Sequence, residues 1–328
     1  MPKGLGRQIQ VGFAKEAVRG TAEAAATYYV PFNEASVEEK IGLAFNEQAL
    51  GVIEDTSEAK STERHAEISV KGGVGDKTFP LLLLATLGSV SSAANPDAGG
   101  VVKDHTFSVG QSVQHPSLTV FLNDPLSGAD YKHSLGCVES IDLAYEQNKF
   151  VEFDAKLLSK KGVTATLTPS NTPENLFLPK HFSFKLAAAV ADLTAATVIP
   201  IKGLKLKISK ALEQDNVLGS DDPVDFLAKK INIEGEFEAI WQNESDFKTA
   251  FAAVTAQAMR IDLKSDVVIG TAANPQITID LNKVVFSDLT HPIKVGDVMR
   301  QTIQFKAMYN VTDSKMVSIK ATNLVASY

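Results

Sequence analysis

Eight segments of the chain alternate apolar and polar residues with a period of two, and this pattern constrains the fold more than any other feature. It is seen at Ile68/Val70, Leu118/Val120/Leu122, Val151/Phe153/Ala155/Leu157 and Leu204/Leu206/Ile208. It returns at Ile231/Ile233/Phe237, Ile277/Ile279/Leu281, Ile303/Phe305/Ala307/Tyr309 and Val317/Ile319/Ala321. Glu, Asp, Lys, Ser and Thr fill the intervening positions, so each segment reads as a strand with one dry and one wet face. Such strands suit antiparallel sheets or barrels and exclude a doubly wound parallel sheet. Helical periodicity is confined to 77–87, with Pro80 near the start, and 244–257, where Phe247, Phe251 and Val254 share a face and Asn243 or Ser245 caps the first turn. The alanine-rich stretch 21–27 reads as either a short helix or a loop. The expected class is mainly β with a few short helices, in a barrel or sandwich arrangement.

A length of 328 residues suits two domains of about 150 residues each, and the segments recur in order. VPFNEASVEEKI at 30–41 resembles IPIKGLKLKI at 199–208. AEISVKGG at 66–73 matches KINIEGEF at 230–237 with Val70 on Ile233 and Gly72 on Gly235. The helix near Phe79 falls with that near Phe247, HPSLTVFLND at 115–124 with NPQITIDLNK at 274–283, and LGCVESIDL at 135–143 with VGDVMRQTIQF at 295–305. Five matches in one order point to duplication of a β-rich unit. The proline-rich stretch 166–179 reads as the linker. The expected organisation is an N-terminal arm at 1–12, units at 13–168 and 181–328, and a linker at 169–180. Polar segments at 42–65 and 209–228 occupy corresponding places and read as long loops.

Catalytic and metal chemistry find no residues to carry them. The net charge of −7 opposes a protein that grips phosphate backbones. The surplus is uneven: residues 1–170 hold 15 basic and 21 acidic groups (−6), and residues 171–328 hold 17 and 18 (−1). A single cysteine, Cys137, excludes an internal disulfide and a cysteine zinc cage, and its place in a strand suits a buried thiol, not a nucleophile. His65, His105, His115, His133, His181 and His291 show no metal spacing and read as surface or turn residues. GVGDKT at 73–78 lacks a second glycine followed directly by Lys-Ser/Thr, as a phosphate loop requires, and reads as a hairpin turn. Asp221/Asp222 reads as loop solvation, and no Gly-x-Ser-x-Gly elbow occurs. No residue is assigned a catalytic, cofactor or metal role. With mean hydropathy −0.01, no apolar run long enough to span a bilayer and no signal-peptide core, a soluble protein of a reducing compartment is expected.

VGFAKE at 11–16, Gly20-Thr21-Ala22 and the strand entry Val30-Pro31-Phe32, followed by a β-rich unit with one central helix, resemble the phage tail tube protein family. The likeness covers the first unit best, and the repeat extends it to the second, which lacks the VGFAKE segment. It implies a tandem-duplicated tube domain and no catalytic residues or cofactor. It also implies a virion protein, assembled in the host cytoplasm, that polymerises into stacked rings through which DNA passes without specific binding. Implied partners are further copies of the chain, a tape-measure protein and tail-terminator and tip proteins, with no membrane. The family likeness supplies about four lumen strands per unit. Six units then give about 24 strands at ~4.8 Å spacing, and a tilt near 40° gives a backbone diameter of roughly 48 Å. Side chains leave roughly 35–40 Å, wider than a duplex of about 20 Å.

Two units per chain make a ring of three chains with pseudo-sixfold symmetry. Carboxylates in the lumen would let DNA slide, although solubility alone also accounts for them. A tube subunit of a contractile injection or secretion machine is the nearest alternative, disfavoured by the duplication. A β-sandwich carbohydrate-binding or adhesin protein is another, disfavoured by one tryptophan and 7% aromatics. The polar segments are expected to reach a neighbouring ring or chain, so that shortening 53–62 blocks polymerisation. The glycine-rich arm is expected to be unordered in the monomer and to add Gln8–Val11 to a sheet edge in the tube.

Overall fold

The computed structural model describes residues 5–97, 99–125, 129–240, 247–292, 295–296 and 298–328. The first part of the chain forms β1 (Gln10–Lys15), β2 (Tyr28–Val30), β3 (Glu34–Asn46), β4 (Glu58–Gly73), α1 (Thr78–Leu87), β5 (Gly88–Ala94), β6 (Lys103–Val109), β7 (Leu118–Asn123), β8 (Asp130–Tyr145), β9 (Glu152–Ser159) and β10 (Val163–Ala165). The second forms β11 (Phe182–Ala187), β12 (Gly203–Asp215), β13 (Asp225–Ile240), α2 (Lys248–Ala252), β14 (Gln257–Lys264), β15 (Gln276–Thr290), β16 (Arg300–Ala307) and β17 (Val317–Asn323). The chain is mainly β. Period-two patterning sets which side each strand buries: β9 sends Phe153, Ala155 and Leu157 inward, and β12 sends Leu204, Leu206 and Ile208.

Eight strands form one antiparallel sheet in the order β3-β4-β9-β8-β12-β13-β16-β15. Two long strands bend out of it. Up to Gly136, β8 pairs with β7 and β10; from Cys137 onward it pairs with β9, and its end with β12. In the same way β15 pairs first with β14 and β17 and then with β16. The strands recruited at these bends build the second layer, β2-β1-β7-β8-β10 in one part and β11-β14-β15-β17-β6-β5 in the other. Between the layers lies α1, every residue of which is buried. It ends at Gly88, whose φ of 93° is left-handed and whose N–H bonds the Leu84 carbonyl. A Cβ there would lie 2.7 Å from the His115 ring.

The ladders of the first part recur in the second, down to their irregularities. β3 and β12 each span 13 residues, and both are bulged after the ninth, at Gly42/Leu43 and Ala211/Leu212. The β8–β9 bulge at Val138/Ser140 has its counterpart at Phe286/Asp288 in β15–β16. The β7–β8 shift at Leu118/Val120 has its counterpart at Gln257/Met259 in β14–β15. Glu34 thus corresponds to Gly203, and Val138 to Phe286. The match of 30–41 to 199–208 lies in this register, and the helix after β4 falls with the helix after β13, whereas the other three matches do not. Val70 corresponds to Phe237, not Ile233; β7 corresponds to β14, and 135–143 to part of β15 instead of 295–305.

Several expectations need correction. Residues 10–12, read as part of a free arm, lie in β1 between β2 and β7, with Val11 buried; residues 1–4 lie outside the described residues. The polar segments are mostly ladder: 42–46 and 58–65 belong to β3 and β4, and 209–215 and 225–228 to β12 and β13. GVGDKT is no hairpin but the passage from β4 into α1. The second helix covers only Lys248–Ala252, and its expected caps Asn243 and Ser245 lie outside the described residues. The stretch 21–27 is a loop. The linker is pinned: Phe177 is fully buried, its N–H bonds the Val74 carbonyl and its own carbonyl accepts from Val151.

Candidate assembly interface

The eight-stranded sheet has a dry face against the core and a wet face of mixed charge. Across the wet face, cations stand beside carboxylates on neighbouring strands. Lys205 Nζ lies 2.9 Å from Glu236, Lys71 Nζ 3.6 Å from Glu152 and Lys207 Nζ 3.9 Å from Asp142. Asp142 and Asp154 sit directly opposite each other. Burial pushes the Asp142 carboxyl up, Lys207 pulls it back, and Asp154 raises it further. A groove of about 600 Å³ runs along the centre of this face, lined by Asp142, Asp154, Lys205, Lys207, Glu234 and Lys306.

Both ends of the sheet are open. β3 pairs with β4 on one side and with no strand on the other among the described residues. Residues Asp288–Thr290 of β15 pair with β16 on one side only, again among the described residues. Unpaired N–H and C=O rows of this kind are templates for another strand. Beside β3 opens an apolar groove of about 900 Å³, lined by Val30, Phe32, Ala35, Val37 and Leu122. Further along the same hairpin, Ile41, Leu43 and Phe45 are 51%, 52% and 56% exposed.

At the middle of the sheet the two parts of the chain meet, and there the same kind of edge is closed. β8 pairs with β12 from Tyr145↔Leu204 to Ser140↔Ser209. Below this ladder the far half of the β12–β13 hairpin lies on the first part, held by buried polar groups. Arg19 donates to Asp225 at 2.6 and 2.8 Å, to the Phe226 carbonyl at 2.8 Å and to the His115 carbonyl. Burial alone would raise the Asp225 pKa, but Arg19, Gln114 and the Phe226 N–H hold it below its ordinary value. Lys210 is buried and donates to the Ala85 carbonyl near the end of α1, at 2.9 Å. Burial pulls its pKa down to about 8. Leu212 packs on Leu135, Cys137 and Phe226. The β3–β4 hairpin lies alongside, through Arg64–Asp221 at 3.1 Å and Gln214–Glu63 at 2.9 Å.

Sequence reasoning singled out neither Arg19, Lys210 nor Asp225, and it read Asp221 and Asp222 as loop solvation, whereas they pair with Arg64 and Lys161. Lys210 was the available signal, because it continues the dry row of Leu204, Leu206 and Ile208. The histidines also need correction, since His105, His115 and His133 are buried, not at the surface. His115 bridges the Thr86 and Gly110 carbonyls, and His105 contacts Ser92, Asn323 and the Val325 carbonyl. Burial lowers the pKa of all three. Cys137 is buried, and burial raises its thiol pKa, which removes thiolate character. Among the described residues no group of three His, Cys, Asp or Glu is placed to hold a metal ion, and no helix is long and apolar enough to cross a membrane.

No curated protein matches the sequence. A family model described as phage tail tube protein matches residues 6–307, from the second described residue to the last residue of β16.

Proposed function

The chain belongs to the phage tail tube protein family, and from that membership we propose that its copies close into rings of three, which stack into the hollow tube of a non-contractile tail. The family assignment makes it a structural component of a virion tail. The observation that carries the finer reading is the β8–β12 junction, where one edge of the first part closes on one edge of the second. Each part contributes four strands to the sheet, and each outer edge lacks a partner among the described residues. A closed ring satisfies every edge, and three copies of a chain with two tube domains give pseudo-sixfold symmetry. The recurring ladders and bulges support a duplicated domain, with units at 13–168 and 181–328 joined through 169–180; residues 10–12 join the first unit.

The wet face suits a lumen through which DNA moves without adhering. Lys71, Lys205 and Lys207 stand beside carboxylates, which weakens their grip on phosphate, and Glu34 adds repulsion. The tape-measure protein would occupy the same channel during assembly in the host cytoplasm, with terminator and tip proteins at its ends. The hairpin tips at 47–57 and 216–224 project exposed Leu50, Val52, Ile53 and Leu218, and these are the elements proposed to reach the adjacent ring. Negative-stain microscopy of the purified, concentrated chain tests the reading. Long hollow tubes are expected; a protein that remains monomeric with its tail-assembly partners present would overturn it.

A further inference from the structure

We infer that the joint between neighbouring copies repeats the register of the internal β8–β12 joint, setting Lys40 of one copy opposite Asp288 of the next and Glu38 opposite Thr290. The inference rests on the ring reading above and adds to it which residues meet. Internally, Ser209 faces Ser140, Ile208 faces Ile141 and Lys207 faces Asp142. The shared bulges carry Ser209 onto Lys40, Ile208 onto Glu39 and Lys207 onto Glu38 in β3. They carry Ser140 onto Asp288, Ile141 onto Leu289 and Asp142 onto Thr290 in β15.

Two independent observations fit this register. The first is charge: it puts the Lys40 ammonium on the wet face against the Asp288 carboxylate, and no like charges face each other. Glu39, which takes the dry-row place of Ile208, already accepts a hydrogen bond from the Gly162 N–H at 3.2 Å. The second is exposed apolar surface. Ile41 and Leu43 occupy the positions that Lys210 and Leu212 hold in the second part, where the first part covers them. The apolar groove beside β3 likewise has a mostly filled counterpart: around Ile201 and Leu204 only about 130 Å³ is open, because Tyr145 of the first part is buried there, its ring 5.2 Å from Phe182. A second copy, seated as the first part seats on the second, covers both surfaces.

Cysteine pairs test the register in assembled tubes. Lys40→Cys with Asp288→Cys should be joined by a short bifunctional maleimide into covalent trimers on a denaturing gel, and native Cys137 is buried. Ser36→Cys with Asp288→Cys, displaced by four residues or about 13 Å along the strand, should stay at least tenfold less joined. Tubes that cross-link through the displaced pair, or through neither, would overturn the register while leaving the ring reading intact. A wild-type chain that forms no tubes would overturn the ring reading instead. Because the maleimide acts after assembly, Lys40→Glu with Asp288→Lys serves as the second variant set: each single change should reduce polymerisation and the pair restore it, and failure of the pair to restore counts against the register.

Discussion

At the scale of single residues, the buried acids and bases are the parts of this chain least visible to patterning. Glu174 illustrates the point: it lies in a proline-rich stretch that reads as a linker, yet its carboxylate accepts the Thr78 N–H at 2.9 Å at the start of α1. Burial first, and the charge of Asp76 second, push its pKa up to about 7 from an ordinary 4.5. A carboxyl raised on folding contributes stability that is complete below its unfolded pKa and is lost as pH rises through 7. Glu174→Gln keeps an acceptor and removes the charge. Its melting temperature should match the parent near pH 4.5 and exceed it at pH 8, by roughly 2 kcal/mol of stability. Equal differences at both pH values would show that the carboxyl does not titrate in this window. The buried histidines act in the opposite sense, losing stability as pH falls, so the difference between variant and parent is the quantity to read. Neither Glu174 nor Arg19 was legible, because both sit in irregular segments where no period marks burial. Lys210 was legible in principle as a charge in a dry row.

At the scale of elements, strands were legible and their ends were not. Alternation marks which residues face the core, and β9, β12, β15 and β16 lie where it places them. The polar segments misled because the far half of the first hairpin is wet on both faces and that of the second is covered partly through polar groups, Lys210 and Asp225, so the period is erased while the ladder continues. The loop proper of the first hairpin is therefore 47–57, and a deletion within it leaves the Asn46↔Glu58 pair intact. Removing 49–54 should change the monomer's melting temperature by no more than about 2 °C, since loop length costs little. It should nevertheless shorten or abolish tubes, measured by electron microscopy and sedimentation, while rings persist. Full-length tubes from this variant would remove the tip from the stacking contact. The N-terminal segment shows the converse error: Gln10–Gly12 has little apolar area, but Val11 gains partners from two strands distant in sequence.

For the whole molecule, the sequence suggests similar segments in one order, but the register of the ladders is not legible in it. A period-two pattern looks the same after a slip of two or four residues, so Val70 falls on Ile233 as comfortably as on Phe237. Similar strands also exchange places, as β7 and β15 did. The bulges break that degeneracy, and sequence does not display them. They tie three ladders of the first part to three of the second and, in the proposed ring, make the internal joint the template for the external one. A cryo-microscopy map of the polymer measures this most directly. The account predicts three chains per ring, with eight strands from each copy giving about 24 around the lumen. Internal β8–β12 joints should alternate with β15–β3 joints between copies. Six full chains per ring, or a β3 edge left unpaired in the assembled tube, would contradict it.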